Sequence, residues 1–224
     1  MSAARDDMLR RIKQALRDVP GPESSGDVTV QRSYRHAGTT ARHDLVSRFA
    51  ERVAEYRASV TVVSPDELRN TIATACATRG VRRLVVPRDL PEDWAPDGVE
   101  LLRDEALTNA RLDESDGVLT GCALGIAQTG TIVLDGGPAQ GRRAITLLPD
   151  YHLCVVQAAQ IVDLVPEAIS RLYPAARDAR RPITFISGPS ATSDIELNRV
   201  EGVHGPRTLE VLIVADVGET EERT

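Results

Sequence analysis

The chain has 224 residues, 42% of them hydrophobic, with 27 lysines and arginines against 33 aspartates and glutamates and a formal net charge of −6. That length suits one domain, which would bury about 70% of its unfolded surface, and falls short of two complete ones. The acidic balance argues against nucleic acid as a partner, and no apolar run approaches the roughly 20 residues of a membrane span. The charged N-terminus has neither the long apolar stretch nor the cleavage site of an export signal, so a cytoplasmic protein is expected. Lys13 is the only lysine, which leaves Schiff-base chemistry without a residue in the body of the chain.

Residues 3–17 place Met8, Leu9, Ile12, Ala15 and Leu16 at helical spacing, an apolar stripe on a charged helix. Val19-Pro20-Gly21-Pro22 ends it and a polar linker follows, so residues 1–38 read as an N-terminal helical extension. Leu45, Val46, Phe49 and Val53 predict a helix over 41–56, leading to a strand at 59–63. Ser64 as N-cap, Pro65 in the first turn and the acidic pair Asp66-Glu67 open a helix that runs to Arg79, where Gly80 stops it. A strand at 81–86 precedes a loop holding the only tryptophan, Trp94, read as a cover on the core. A short strand at 99–102 and a short helix at 104–112 come next.

From 117 to 135 small and β-branched residues alternate with little charge, which predicts two strands linked near 125–127. Asp135-Gly136-Gly137-Pro138 then turns the chain toward Arg142-Arg143. The guanidinium fork matches carboxylate and phosphate geometry, so this pair reads as an anion anchor, with a solvated charge pair as the plainer alternative. After His152, Leu153-Cys154-Val155-Val156 is a strand of the kind buried on both faces. A helix at 166–172 and strands at 182–186 and 209–214 complete the alternation, and residues 217–224 form an acidic tail. The pattern predicts a three-layer α/β/α domain over 39–216 around a mostly parallel mixed sheet.

Between the last two strands lies the segment richest in chemistry. Gly188 and Pro189 stop the first strand, and Ser190, Thr192, Ser193 and Asp194 offer caps to a short helix through Ile195-Glu196-Leu197. The free backbone N–H groups of such a helix start would cradle a carboxylate or phosphate, although ordinary capping uses the same residues. His204, between Gly202 and Gly205 and ahead of Pro206, is expected to be exposed and able to titrate. Ligands of parallel sheets gather at the carboxyl ends of strands, where the 187–192 loop is expected to open. The three cysteines, Cys76, Cys122 and Cys154, are dispersed and without metal-ligand spacing, so they read as reduced core residues. An iron-sulfur cluster takes four thiolates, so no cluster or other metal is expected on this chain alone.

Two groups of residues carry a family resemblance. One is Ser187-Gly188-Pro189-Ser190, Thr192 and Asp194-Ile195-Glu196, followed by Gly202-Val203-His204-Gly205-Pro206. The other is Thr129-Gly130-Thr131-Ile132, followed by Arg142-Arg143, Leu148-Pro149 and His152. Their order and spacing resemble the lactate utilisation protein C family, whose core is called the LUD domain, over residues 40–215. The resemblance implies a fold like that of sugar-phosphate isomerases and CoA transferases, and a role beside two iron-sulfur proteins in oxidising L-lactate to pyruvate.

On this reading Thr129, Gly130, Arg142, Arg143, Ser187, Gly188, Ser190, Thr192 and His204 bind a small anionic ligand. His204, Glu196 and Asp194 are the candidates for acid–base work. A covalent acyl route would want a carboxylate beside the Thr129-Gly130 turn, but Gln128 stands there and its amide cannot serve. Three functions stay open: a non-redox subunit of lactate oxidation, an independent isomerase-like or CoA-transferase-like enzyme, and a ligand-binding scaffold without turnover. Homo-oligomerisation is open as well.

Overall fold

The computed structural model describes residues 3–18, 31, 33–193, 199–202 and 204–215. They fall in two units, 1–34 and 35–224. The first carries helix α1 (Ala3–Ala15), on which the apolar spacing of the sequence is realised.

The second unit begins with α2 (Arg42–Glu55), β1 (Ser59–Val63) and α3 (Leu68–Arg79), the last entered through a 3-10 turn at Pro65–Glu67. The expected cap is present: Ser64 Oγ lies 2.7 Å from a Glu67 carboxylate oxygen that also accepts from the Ser64 N–H. Gly80 ends α3 in the left-handed region at φ 67°, where only glycine is unstrained. Then come β2 (Arg83–Val86), β3 (Glu100–Arg103), α4 (Asn109–Asp113), β4 (Gly117–Thr120), β5 (Leu124–Ile126) and β6 (Thr131–Leu134). The chain continues through β7 (Tyr151–Gln157), β8 (Ile161–Val162), α5 (Val165–Arg177), β9 (Thr184–Ile186), β10 (Ala191–Ser193), β11 (Arg199–Glu201) and β12 (Thr208–Val214).

Six strands make one sheet in the order β1-β12-β7-β4-β2-β3, and every neighbouring pair is parallel. On one face α3 packs Ile72 and Cys76 against Leu84, Leu153, Val155 and Leu212. On the other, Phe49 and Val53 of α2 join Ile132 and Leu134 of β6 over Cys154, Val156, Val211 and Ile213. A fully buried Leu, Ile or Phe contributes roughly 1.5–3 kcal/mol, against roughly 0–1 kcal/mol for an exposed ion pair, so these two cores hold the unit together. Trp94 packs on the first of them, as the sequence suggested.

A second, four-stranded sheet of order β8-β5-β6-β9 is mixed, with β5-β6 and β6-β9 antiparallel and β5-β8 parallel, and β10-β11 form a separate antiparallel pair. This corrects the reading of residues 117–135, which hold three strands, with the turn at 127–130 instead of 125–127. Gly125 caused the error. It lies inside β5, where a Cβ would come within 2.9 Å of the Phe49 ring, so glycine there admits an aromatic side chain and does not mark a turn. Pro174 likewise falls inside α5, which runs past the predicted end at 172.

The segment ahead of α2 is tied down by one buried carboxylate. Asp163, 4% exposed, accepts from Thr40 Oγ1 at 2.6 Å and pairs with Arg48 Nη1 at 2.7 Å. Burial raises its pKa, but the Thr40 donors and the Arg48 charge outweigh this and hold it below the ordinary carboxylate value. A depressed folded-state pKa contributes stability that is complete above the unfolded-state value, about 3.9, and is lost as pH falls through the folded one. Asp163→Asn should therefore cost about 1–3 kcal/mol in urea unfolding at pH 7. The gap to wild type should close as pH falls below about 4. A gap that persists in acid would show that the carboxylate charge is not responsible.

Candidate functional site

Parallel pairing starts β7 and β12 at the same edge of the sheet, with Tyr151 opposite Thr208 and His152 opposite Leu209. The segments that lead into them, carrying Arg143 and Thr146 on one side and His204, Gly205 and Pro206 on the other, are thereby brought together. The loop after β9 supplies a third wall. These elements enclose a cleft of about 230 Å³ lined by Arg143, Thr146, His152, Thr184–Ser190, His204–Pro206 and Leu209 (ranges 184–190 and 204–206). The cleft thus lies at the amino ends of β7 and β12. The expectation of a site at the carboxyl ends holds only for β9, because the wall-forming loops precede the central strands instead of following them.

Ser190 staples the walls. Its N–H donates to Pro206 O at 2.8 Å, its carbonyl accepts from Gly202 N at 3.0 Å, and its Oγ accepts from His204 N at 3.1 Å. The Ser190 hydroxyl proton is left to donate elsewhere. Gly188, at φ 83°, passes so close to Tyr56 that a Cβ would sit 2.4 Å from the tyrosine Cβ. His204 is exposed at the rim, while His152 is buried, with Nε2 2.8 Å from Thr120 Oγ1. The Cys122 thiol donates to Gln160 Oε1 at 3.7 Å and the Cys154 thiol to Gly121 O at 3.8 Å. The closeness of the two thiols, with His152 and Thr120 beside Cys154, holds the Cys154 pKa down while Cys122 is pushed up. All three cysteines are buried free thiols, but two of them are neighbours, which their separation in sequence concealed.

The paired arginines separate. Arg142 Nε and Nη2 grip Asp104 at 2.8 and 3.0 Å, and Nη2 also donates to Leu107 O at 2.5 Å. This arginine is therefore held by Asp104 and does not line this cleft, where Arg143 stands without it. Arg143 Nη1 donates to Thr146 O at 3.0 Å and Oγ1 at 3.1 Å, and the Thr146 hydroxyl returns a bond to Arg143 O at 3.2 Å. Among the described residues Arg143 has no carboxylate partner, and crowding by the cleft walls lowers its pKa through desolvation.

Thr129 and Gly130 also stand outside the cleft. A Cβ on Gly130 would lie 2.5 Å from the Arg52 backbone, so this glycine admits the close approach of α2. Thr129 acts at second hand: its Oγ1 lies 2.7 Å from Thr131 Oγ1, which lies 2.9 Å from Ser187 Oγ on the cleft wall. Gln128 is likewise structural, its N–H donating to Asp163 O at 3.0 Å.

Thr192 and Ser193, expected to cap a helix, lie instead in a strand, because Ala191–Ser193 pairs antiparallel with Arg199–Glu201. Thr192 lies in that strand opposite Val200. Asp194 and Glu196, with the helix expected through 195–197, lie outside the described residues. Thr146 and Thr184 were missed by the sequence reading. Thr146 carried a usable signal, a hydroxyl three residues after an arginine in a short turn. Among the described residues no cluster of His, Cys, Asp and Glu is arranged to hold a metal, and no helix is long and apolar enough to cross a membrane.

Fold and cleft together define an α/β protein with an arginine-bearing, hydroxyl-rimmed cleft beside the central strands of a parallel sheet. Residues 46–214 match the LUD domain, and the chain belongs to that family. A protein named lactate utilization protein C from Deinococcus radiodurans is 49% identical over 175 residues, 78% of this chain and 81% of that one. A protein of the same name from Halalkalibacterium halodurans is 27% identical over 208 residues, 85% of this chain and 87% of its own length. The crystal structure of a DUF162 family protein from Deinococcus radiodurans matches with a TM-score of 0.69 and 42% identity, over 79% of this chain and 99% of that one.

The different duties of the arginines are measurable as stability. Arg142→Ala leaves Asp104, whose side chain is 5% exposed, without its partner. The cost should be about 1–2 kcal/mol in urea unfolding, discounted for the exposed guanidinium. Equal stability of Arg142→Ala and wild type would return Arg142 to the pool of ligand residues.

Proposed function

We propose that this chain is a non-redox subunit of a lactate-utilisation system, binding a small carboxylate in the cleft at Arg143 and working in the cytoplasm beside iron-sulfur proteins that carry the electrons. The observation that supports the reading best is Arg143 itself: a crowded guanidinium with no carboxylate partner among the described residues, on the wall of a cleft sized for a small molecule. A charged donor in that position gains most from an anionic ligand. Ser187 and Ser190 place hydroxyls along one wall, and His204 adds a titratable group at the rim. The names of the relatives connect such a ligand with lactate. Three cysteines are fewer than a cluster's four thiolates, which supports the reading that the redox centres sit on partners. Residues 1–38 are then an extension of the 39–216 domain.

Titration calorimetry with acetate and L-lactate tests the binding, and replacement of the only gene copy tests the role. Arg143→Gln should weaken both ligands by about tenfold or more, the value of one charge-assisted hydrogen bond, and should not support growth on lactate. His204→Asn keeps a polar side chain suited to the same turn and should also fail in growth, with a melting temperature close to wild type. Unchanged affinity in folded Arg143→Gln would contradict the assignment. A large drop in melting temperature would make His204 structural.

A further inference from the structure

A second cleft, of about 330 Å³, adjoins the first across Arg143, Thr146 and Thr184. It is lined in addition by Asp135, Gln140, Arg142 and Arg181, so three arginines meet one carboxylate. Arg142 is satisfied by Asp104. Asp135 spends one oxygen on Gly137 N and Gln140 Nε2, both at 2.9 Å, and holds Arg181 Nη2 at 3.1 Å with the other. Among the described residues one positive charge therefore remains uncompensated along the two clefts. Arg181 also contributes the single buried side-chain donor that lacks a partner among the described residues, its Nε. A buried N–H without an acceptor is unfavourable by roughly 1–3 kcal/mol, so a ligand oxygen that reached this guanidinium would be favoured beyond its charge alone.

We infer that the ligand carries two anionic groups, a dianion in that sense, with one carboxylate at Arg143 in the first cleft and a second anionic group at Arg181 in the adjoining one. The inference rests on the reading of Arg143 as the anion anchor. The second group is a carboxylate or a phosphate, since the guanidinium fork suits both. Selectivity follows from the geometry. A monoanion satisfies Arg143 and leaves the Arg181 donor orphaned, whereas a short dianion meets both.

Calorimetry of the full chain with acetate, succinate and 3-phosphoglycerate separates the possibilities. Wild type should bind at least one dianion about tenfold or more tightly than acetate. Succinate as the winner identifies a carboxylate as the second group, and 3-phosphoglycerate a phosphate. Arg181→Gln should reduce the dianion preference to within about twofold, and Arg181→Lys, which keeps a charge beside Asp135 but has no guanidinium Nε, should do the same if Arg181→Gln fails to fold. Arg143→Gln should weaken all three ligands. A wild type that binds acetate through Arg143 with no preference for dianions, or a preference that survives both Arg181 variants, overturns the inference and leaves the anion site standing. Binding that is indifferent to Arg143→Gln overturns both.

Discussion

The parallel ladder between β7 and β12 is the constraint on which the cleft depends. Both strands are buried along most of their length, and a slip of one residue would turn every core side chain of a strand to the opposite face. The register is thus fixed by Leu153, Val155 and Leu212 on one face and Cys154, Val156, Val211 and Ile213 on the other. Once it is fixed, the starts of the two strands coincide, and Arg143 and His204 meet although far apart in sequence. Core packing here does the positioning that hydrogen bonds alone could not, because each loop is too short to wander from the strand it feeds.

Around that frame the polar residues divide into those that hold the walls and those left to act. Ser190 ties its loop to Pro206 and His204, and Thr131 braces Ser187 from behind. Thr146 holds Arg143 through three hydrogen bonds, which limits the conformational entropy a ligand must remove on binding. Arg142, Gln128 and Gly130 support other parts of the fold. The family motif therefore mixes cleft-facing residues with residues that keep the neighbouring elements in place.

Much of the fold was legible because local chemistry and burial agree. Ser64 and Pro65 start a helix in isolation as they do in the structure, and the run Leu153–Val156 (153–156) can only be a strand covered on both faces. Three features were illegible for physical reasons. Gly125 signals a turn in sequence but serves the Phe49 ring, a partner supplied by a distant helix. Arg142 and Arg143 are chemically identical neighbours, distinguished only by Asp104, which the fold brings beside one of them. The hydroxyl-rich stretch after Pro189 suits a helix cap as well as a strand, and pairing with Arg199–Glu201 makes Ala191–Ser193 a strand. In the cleft itself, Ser187, Ser190 and His204 were found from their turn residues, whereas Thr146 and Thr184 became visible only with the tertiary arrangement.

The central claim is that an anion seats at Arg143, in the cleft ahead of β7 and β12. It is tested most directly by a crystal structure of the protein with bromoacetate, whose bromine can be located by anomalous scattering. The account predicts a carboxylate within hydrogen-bond distance of the Arg143 guanidinium, between the Ser187–Ser190 wall (187–190) and His204. Bromoacetate bound at the carboxyl ends of the parallel strands, with the Arg143 cleft empty, would contradict it.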